Sequence, residues 1–181
     1  MLENVHSKPI CSNPIGAGLE ISDGSMKSNV TPNCPQMILQ NLNITFPANY
    51  VWQTDINLEQ TTGKFSLAIK YPVHDVWFTM QPNGGWTFGI EDSYVRIEGR
   101  TSIDFSEPTT VTIIYQNPNF FVYLNSTLVF TKDDLNEPFG PEYWIFNIWN
   151  NNDNFQFSGI ETFEIDNFKV WDIDKFELGN Q

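Results

Sequence analysis

Residues 109–131 read TTVTIIYQNPNFFVYLNSTLVFT, three short runs crowded with β-branched and aromatic residues. Two turn signals separate them, Gln116-Asn117-Pro118-Asn119 and Asn125-Ser126. Val, Ile, Thr, Tyr and Phe suit the pleated, half-buried surface of a strand, whereas Asn, Pro and Ser favour the turns between strands. The stretch predicts three consecutive antiparallel strands, at 109–116, 120–125 and 127–131.

The same punctuation extends outward in both directions. Tyr50, Trp52, Thr54, Ile56 and Leu58 alternate with Val51, Gln53, Asp55 and Asn57, and Phe65, Leu67, Ile69 and Tyr71 alternate with Ser66, Ala68 and Lys70. A period of two marks a strand with one face buried. Further runs lie at 75–81, 85–91, 94–98, 143–150 and 160–172, with turn signals such as Pro82-Asn83-Gly84-Gly85 and Asn150-Asn151-Asn152-Asp153-Asn154 between them. No window of about 12 residues carries a helical period; one helical turn is expected near 133–137. Many short strands divided by turns predict an all-β, antiparallel two-sheet jelly-roll sandwich. Residues 1–35, rich in Pro and Gly, predict an irregular lead-in that belongs to the domain, with one short strand at 18–21. The sandwich occupies 36–174 and a tail follows at 175–181.

The final third resembles the concanavalin A-like lectin/glucanase superfamily, especially its laminin G-like jelly-roll branch. The resemblance rests on the 109–115 and 120–130 hairpin and on a closing strand, FEIDNFKVW, at 163–171. Asn125-Ser126 stands where that family has Asn-Gly, a departure expected to change the turn but not the hairpin. The resemblance spans 36–174. It implies two curved antiparallel sheets and, in many relatives, recognition of carbohydrate or protein.

Composition narrows the function classes. The 181 residues carry 22 acids against 9 bases, a net charge of -13, with 15 Phe, 6 Trp and 6 Tyr. So much aromatic area is incompatible with disorder. Scarce, scattered cations disfavour nucleic acid and polyanionic glycans, which need basic patches. No run of about 18 apolar residues predicts membrane insertion. The first 30 residues lack the basic start and apolar centre of a signal peptide. Cys11 and Cys34 would close a loop worth about 3 kcal/mol if bridged; the alternative is two free thiols. Few Lys, three Asn-x-Ser/Thr sequons (Asn29, Asn43, Asn125) and that disulfide point to an extracellular or cell-surface module excised from a larger protein.

Strand parity sorts the rings into two populations. Val76, Phe78 and Met80 take the core side of 75–81, leaving Trp77 and Thr79 opposite. Trp144, Phe146 and Ile148 read as core, leaving Tyr143, Ile145, Asn147 and Trp149. Trp86 alternates with Phe88 and Ile90 and reads as core. A face mixing rings and amides suits a sugar, whose C–H surface stacks on aromatics while its hydroxyls meet amides and carboxylates. Trp77, Tyr143, Asn147 and Trp149, with Gln53 and Asp55 if those strands are neighbours, form the expected ligand face.

Catalytic readings fare worse. Glu164-Ile165-Asp166 resembles the opening of the Glu-Ile-Asp-x-x-Glu run of laminarinase-type glucanases, but Phe168 and Lys169 stand where the next carboxylate is expected. Retaining hydrolysis needs two carboxyl groups about 5–5.5 Å apart. His74-Asp75 lacks any nucleophile in a recognisable elbow and sits in a predicted turn. Asn150–Asn154 offers oxygens to calcium with a single carboxylate, a weak structural site at Asn152 and Asp153. The sequence therefore predicts a non-catalytic, lectin-like module for a neutral glycan, with no cofactor beyond structural calcium. A protein-interaction or structural module is the alternative, and a glycoside hydrolase-like enzyme the third reading.

Overall fold

A computed structural model describes residues 6–10, 18–22, 25–30, 36–41, 47–57, 64–72, 74–81, 83–91, 95–103, 105, 107–135, 141, 143–149 and 161–175. For 6–10, 18, 19, 22, 28, 30, 36–41, 64, 143–149, 161 and 162 it describes the backbone alone.

The strands, in chain order, are β1 (His6–Ile10), β2 (Gly18–Ser22), β3 (Ser25–Val30), β4 (Gln36–Asn41), β5 (Tyr50–Asn57), β6 (Lys64–Lys70) and β7 (Asp75–Met80). They continue with β8 (Gly85–Ile90), β9 (Val95–Arg100), β10 (Thr109–Gln116), β11 (Asn119–Leu124), β12 (Thr127–Lys132), β13 (Tyr143–Trp149) and β14 (Glu161–Asp172). One 3-10 turn, Ile173–Lys175, follows β14, and no α-helix occurs among the described residues. Of the helical turn expected near 133–137, residues 133–135 form a bend followed by two residues without regular structure, and 136 and 137 lie outside the described residues.

Two seven-stranded sheets result. Sheet one runs β1-β4-β13-β6-β7-β8-β9 and sheet two runs β12-β11-β10-β5-β14-β3-β2. Every recorded pairing is antiparallel, from β7 on β8 to β14 on β5. The irregular lead-in expected for residues 1–35 is corrected: β1 adds to β4 at one edge of sheet one, while β2 and β3 extend sheet two beyond β14. Lys8, Pro9, Ser25 and Asn29 break the apolar alternation there, so cross-strand pairing, not a sequence period, makes these strands. Pro9 lies in β1, an edge strand, where a missing N–H is tolerated.

Alternation places the core between the sheets. Sheet two contributes Tyr50, Trp52, Ile56, Val111, Ile113, Tyr115, Phe163 and Ile165; sheet one contributes Phe65, Leu67, Ile69, Val76, Phe78 and Phe88, all buried. Rings join the layers: Phe88 of β8 stacks on Phe130 of β12 with centroids 4.3 Å apart, and Trp86 meets Phe130 edge-on at 5.7 Å. Such pairs add about 0.5–1.5 kcal/mol beyond their burial. Buried hydroxyls find partners, Tyr50 Oη with Tyr71 Oη at 2.8 Å, and Tyr115 Oη donating to the Leu135 carbonyl at 3.0 Å.

A bulge interrupts β14. Its register against β5 shifts between Asp166 and Lys169, and Asn167 adopts φ 52°. The shift turns Phe168 into the core, where its ring lies edge-on to Trp52 at 5.5 Å. Cys11, Cys34, Asn43, Asn152 and Asp153 lie outside the described residues.

Candidate binding faces

Sheet one turns its second face away from the core. By register, that face carries Ser66, Ala68 and Lys70 of β6, Asp75, Trp77 and Thr79 of β7, Thr87 and Gly89 of β8, and Arg96 and Glu98 of β9. Trp77 is half-buried there, directly opposite Gly89. A β-carbon added at Gly89 would lie 2.1 Å from Trp77 Cζ2 and 2.2 Å from Cε2. The indole therefore rests on bare backbone, and no side chain at Gly89 lifts it. Trp86 uses the same device on the core side, over Gly99.

Hydroxyls flank the ring. Thr79 Oγ1 donates to Ser66 Oγ at 3.0 Å, and both side chains are only 5 % exposed. The charges nearby are paired: Lys70 Nζ lies 2.6 Å from Asp75 Oδ1, and Arg96 is 2.7 Å from Glu98. The middle of the face is thus an indole set among hydroxyls. β13 joins the far side of β6, with Asn147 opposite Ser66, Tyr143 opposite Lys70 and Trp149 opposite Lys64. The side chains of Tyr143, Asn147 and Trp149 lie outside the described residues.

Gln53 and Asp55 do not join this face. Their strand, β5, belongs to sheet two, and its core-facing residues are Tyr50, Trp52, Thr54 and Ile56. Their side chains therefore lie on the opposite outer surface, with two layers of backbone and the core between them and Trp77. The grouping predicted from sequence is corrected on this point, because parity tells which side of a strand is outward but not which sheet holds it. Asp55 is also engaged within the fold. Thr110 Oγ1 donates to its Oδ1 at 2.6 Å, and Asn167 Nδ2 donates to its Oδ2 at 2.7 Å.

The outer surface of sheet two holds a groove of about 660 Å³, lined by Gln53, Thr110, Thr112, Ile114, Tyr123, Asn125 and Ser126. Apart from Gln53, sequence reasoning missed these residues. The signal was the parity of β10, whose outward Thr110, Thr112 and Ile114 alternate with buried Val111, Ile113 and Tyr115. On the same surface, Glu164 Oε1 accepts from Ser25 Oγ at 3.2 Å and pairs with Lys27 Nζ at 3.4 Å. Asp166 Oδ1 accepts the Asn167 N–H at 2.6 Å, and its carbonyl accepts from Thr54 Oγ1 at 2.7 Å. The carboxylates of the Glu-Ile-Asp run thus hold neighbouring strands and the bulge. Among the described residues, no three His, Cys, Asp or Glu side chains converge as metal ligands.

Solved structures share this architecture. The carbohydrate-binding module CBM66 from Bacillus subtilis superimposes with a TM-score of 0.63 at 12 % identity, over 92 % of this chain and 94 % of that one. A prokaryotic β-1,3-1,4-glucanase (lichenase) derived from a mouse hindgut metagenome gives 0.67 at 14 % identity, over 93 % and 92 %. A Bacteroides ovatus mixed-linkage glucan GH16 protein, in complex with an oligosaccharide product, gives 0.67 at 7 % identity, over 92 % and 94 %. The fold is a jelly-roll sandwich. At these identities the likeness concerns the fold alone. No family model and no curated protein sequence matches the chain. The jelly-roll neighbours include both a carbohydrate-binding module and glycoside hydrolases.

Proposed function

We propose that this chain is a non-catalytic carbohydrate-binding module that recognises a neutral glycan on the outer face of sheet one. The observation that carries the reading is the seat of Trp77 on Gly89, outside the core and beside the Ser66–Thr79 hydroxyl pair. An indole seated against bare backbone can offer its other side to the C–H face of a sugar ring. Tyr143, Asn147 and Trp149 belong to the proposed site, and their backbone register on β13 sets them opposite Lys70, Ser66 and Lys64. A net charge of -13 favours a neutral ligand over a polyanion. CBM66 among the structural neighbours supports a carbohydrate partner in general terms.

The non-catalytic part of the reading draws support from Glu164, whose carboxylate is tied to Lys27 and Ser25. We extend the proposal to the laminin G-like branch and to a place outside the cell, on the hairpin and closing-strand motifs and on the sequons and cysteines.

Titration of neutral glucans, read by tryptophan fluorescence and calorimetry, tests the proposal. Trp77→Ala should weaken binding by ten-fold or more, equivalent to about 1.4 kcal/mol. Wild-type protein that binds no neutral glycan at millimolar concentration overturns the reading. Reducing-sugar release from a polysaccharide, lost in Glu164→Gln, would replace it with an enzyme.

A further inference from the structure

We infer that the groove on sheet two is a second, independent saccharide site, which makes the module bivalent. The lining residues form a grid. Gln53, Thr112 and Tyr123 are successive cross-strand partners on β5, β10 and β11, and Ile114 and Thr110 flank Thr112 on the same face. At about 4.7–4.9 Å between strands, the Gln53–Tyr123 row spans roughly 10 Å, the length of a short oligosaccharide. The volume of about 660 Å³ falls within the usual range for ligand pockets.

The chemistry selects the ligand class. The lining consists of two amides, three hydroxyl-bearing side chains, one phenol ring and one aliphatic side chain, and none of these residues is charged. A phosphate or sulfate would meet no cation among them. A lipid would meet too many polar groups. A neutral sugar finds Tyr123 and Ile114 for its apolar face, and Gln53, Thr112 and Ser126 for its hydroxyls.

One wall is built in advance. Asn125 and Ser126 form the β11–β12 turn, and that turn is fastened to β10 by two hydrogen bonds. Asn125 N–H donates to the Thr110 carbonyl at 2.9 Å, and Thr110 N–H donates to Asn125 Oδ1 at 2.8 Å. The Thr110 hydroxyl is held in turn by Asp55. A fixed wall spares the ordering cost that a mobile loop would add on binding.

The groove and the Trp77 face lie on opposite outer surfaces of the sandwich, so one ligand chain cannot fill both as a continuous track. The inference shares the carbohydrate class with the reading of the Trp77 face but none of its residues. The test is calorimetric stoichiometry on the full chain with a neutral tetrasaccharide that the wild type binds, using Trp77→Ala, Tyr123→Ala and the milder Gln53→Ala. Circular dichroism of each variant checks its fold. Two equivalents per chain, falling to one in Tyr123→Ala and in Trp77→Ala, is the expected result, with Gln53→Ala weakening the same site as Tyr123→Ala. One equivalent that survives both folded groove variants overturns the second site and leaves the Trp77 reading intact. One equivalent lost in the groove variants and kept in Trp77→Ala supports the groove and overturns the Trp77 face. Absence of binding to every neutral glycan overturns both. If Tyr123→Ala fails to fold, Gln53→Ala alone decides.

Discussion

At the scale of single residues, the candidate sites depend on what a side chain leaves room for. Trp77 on the outer face was legible in the sequence, since Val76, Phe78 and Met80 claim the other side of β7. Its seat was not, because Gly89 becomes its neighbour only through the β7–β8 register. Gly89 supplies the missing β-carbon. Gly89→Ala would set a methyl 2.1 Å from the indole and force it off the sheet. The substitution should reduce glycan affinity at the Trp77 face at least five-fold and cost about 1–3 kcal/mol of stability through overpacking. Calorimetry and urea denaturation measure the two effects separately. Unchanged affinity in a folded Gly89→Ala protein would show that the seat on bare backbone is irrelevant to binding. Asp55 teaches the converse. Its acceptors were expected to meet sugar hydroxyls, yet Thr110 and Asn167 take both oxygens. Asn167 lies 112 residues away and reaches Asp55 only across a bulge, and a bulge leaves no period in a sequence.

At the scale of elements, turn chemistry explains where the strands start and stop. The β11–β12 hairpin was expected from sequence to differ in its turn, because Ser126 replaces the glycine of an Asn-Gly pair. The structure keeps the turn: Asn125 has φ 47° and Ser126 φ 69°. Positive φ at both central residues is the signature of a type I′ turn, whose twist matches the strands it joins. Ser126 therefore holds a left-handed conformation that Gly adopts without penalty. Ser126→Gly should raise stability by about 0.5–1 kcal/mol, the relief at Ser126 outweighing the extra freedom of the unfolded glycine. A higher urea midpoint with an unchanged slope is the outcome expected, and a lower midpoint would mean that the Ser126 hydroxyl contributes more than the strain costs. Strands with strict alternation, such as β5, β6 and β10, were readable to within a residue or so. β1, β3 and β4 were not, because they lack alternation and owe their existence to partners.

At the scale of the whole molecule, net charge is the remaining tension. The described ion pairs are Lys27–Glu164, Lys70–Asp75, Arg96–Glu98, Lys132–Asp134 and Lys175–Asp172, and most have at least one exposed partner. The Lys132 hydrogen bond, followed by its charge, holds the Asp134 carboxyl below the ordinary aspartate range. Exposed pairs contribute about 0–1 kcal/mol each and weaken as salt is added. Against them stands an excess of 13 negative charges on a 181-residue chain, whose mutual repulsion opposes compactness. Only nine cations are available to make attractive pairs with 22 acids, so over the whole chain like-charge pairings outnumber opposite-charge ones. Screening should therefore favour the folded state. Raising ionic strength from about 0.01 M to 0.15 M shortens the Debye length from roughly 30 Å to 8 Å, which damps long-range repulsion while leaving close pairs such as Lys70–Asp75 largely intact. The thermal midpoint should rise by a few degrees over that range, measured by circular dichroism at pH 7. Neutral-glycan affinity should change little in the same series, since no groove-lining residue is charged and the charges described beside Trp77 are paired. A midpoint that falls with salt would mean that the ion pairs outweigh the excess charge. An affinity that falls steeply with salt would point to a charged ligand and would remove the basis for a neutral one.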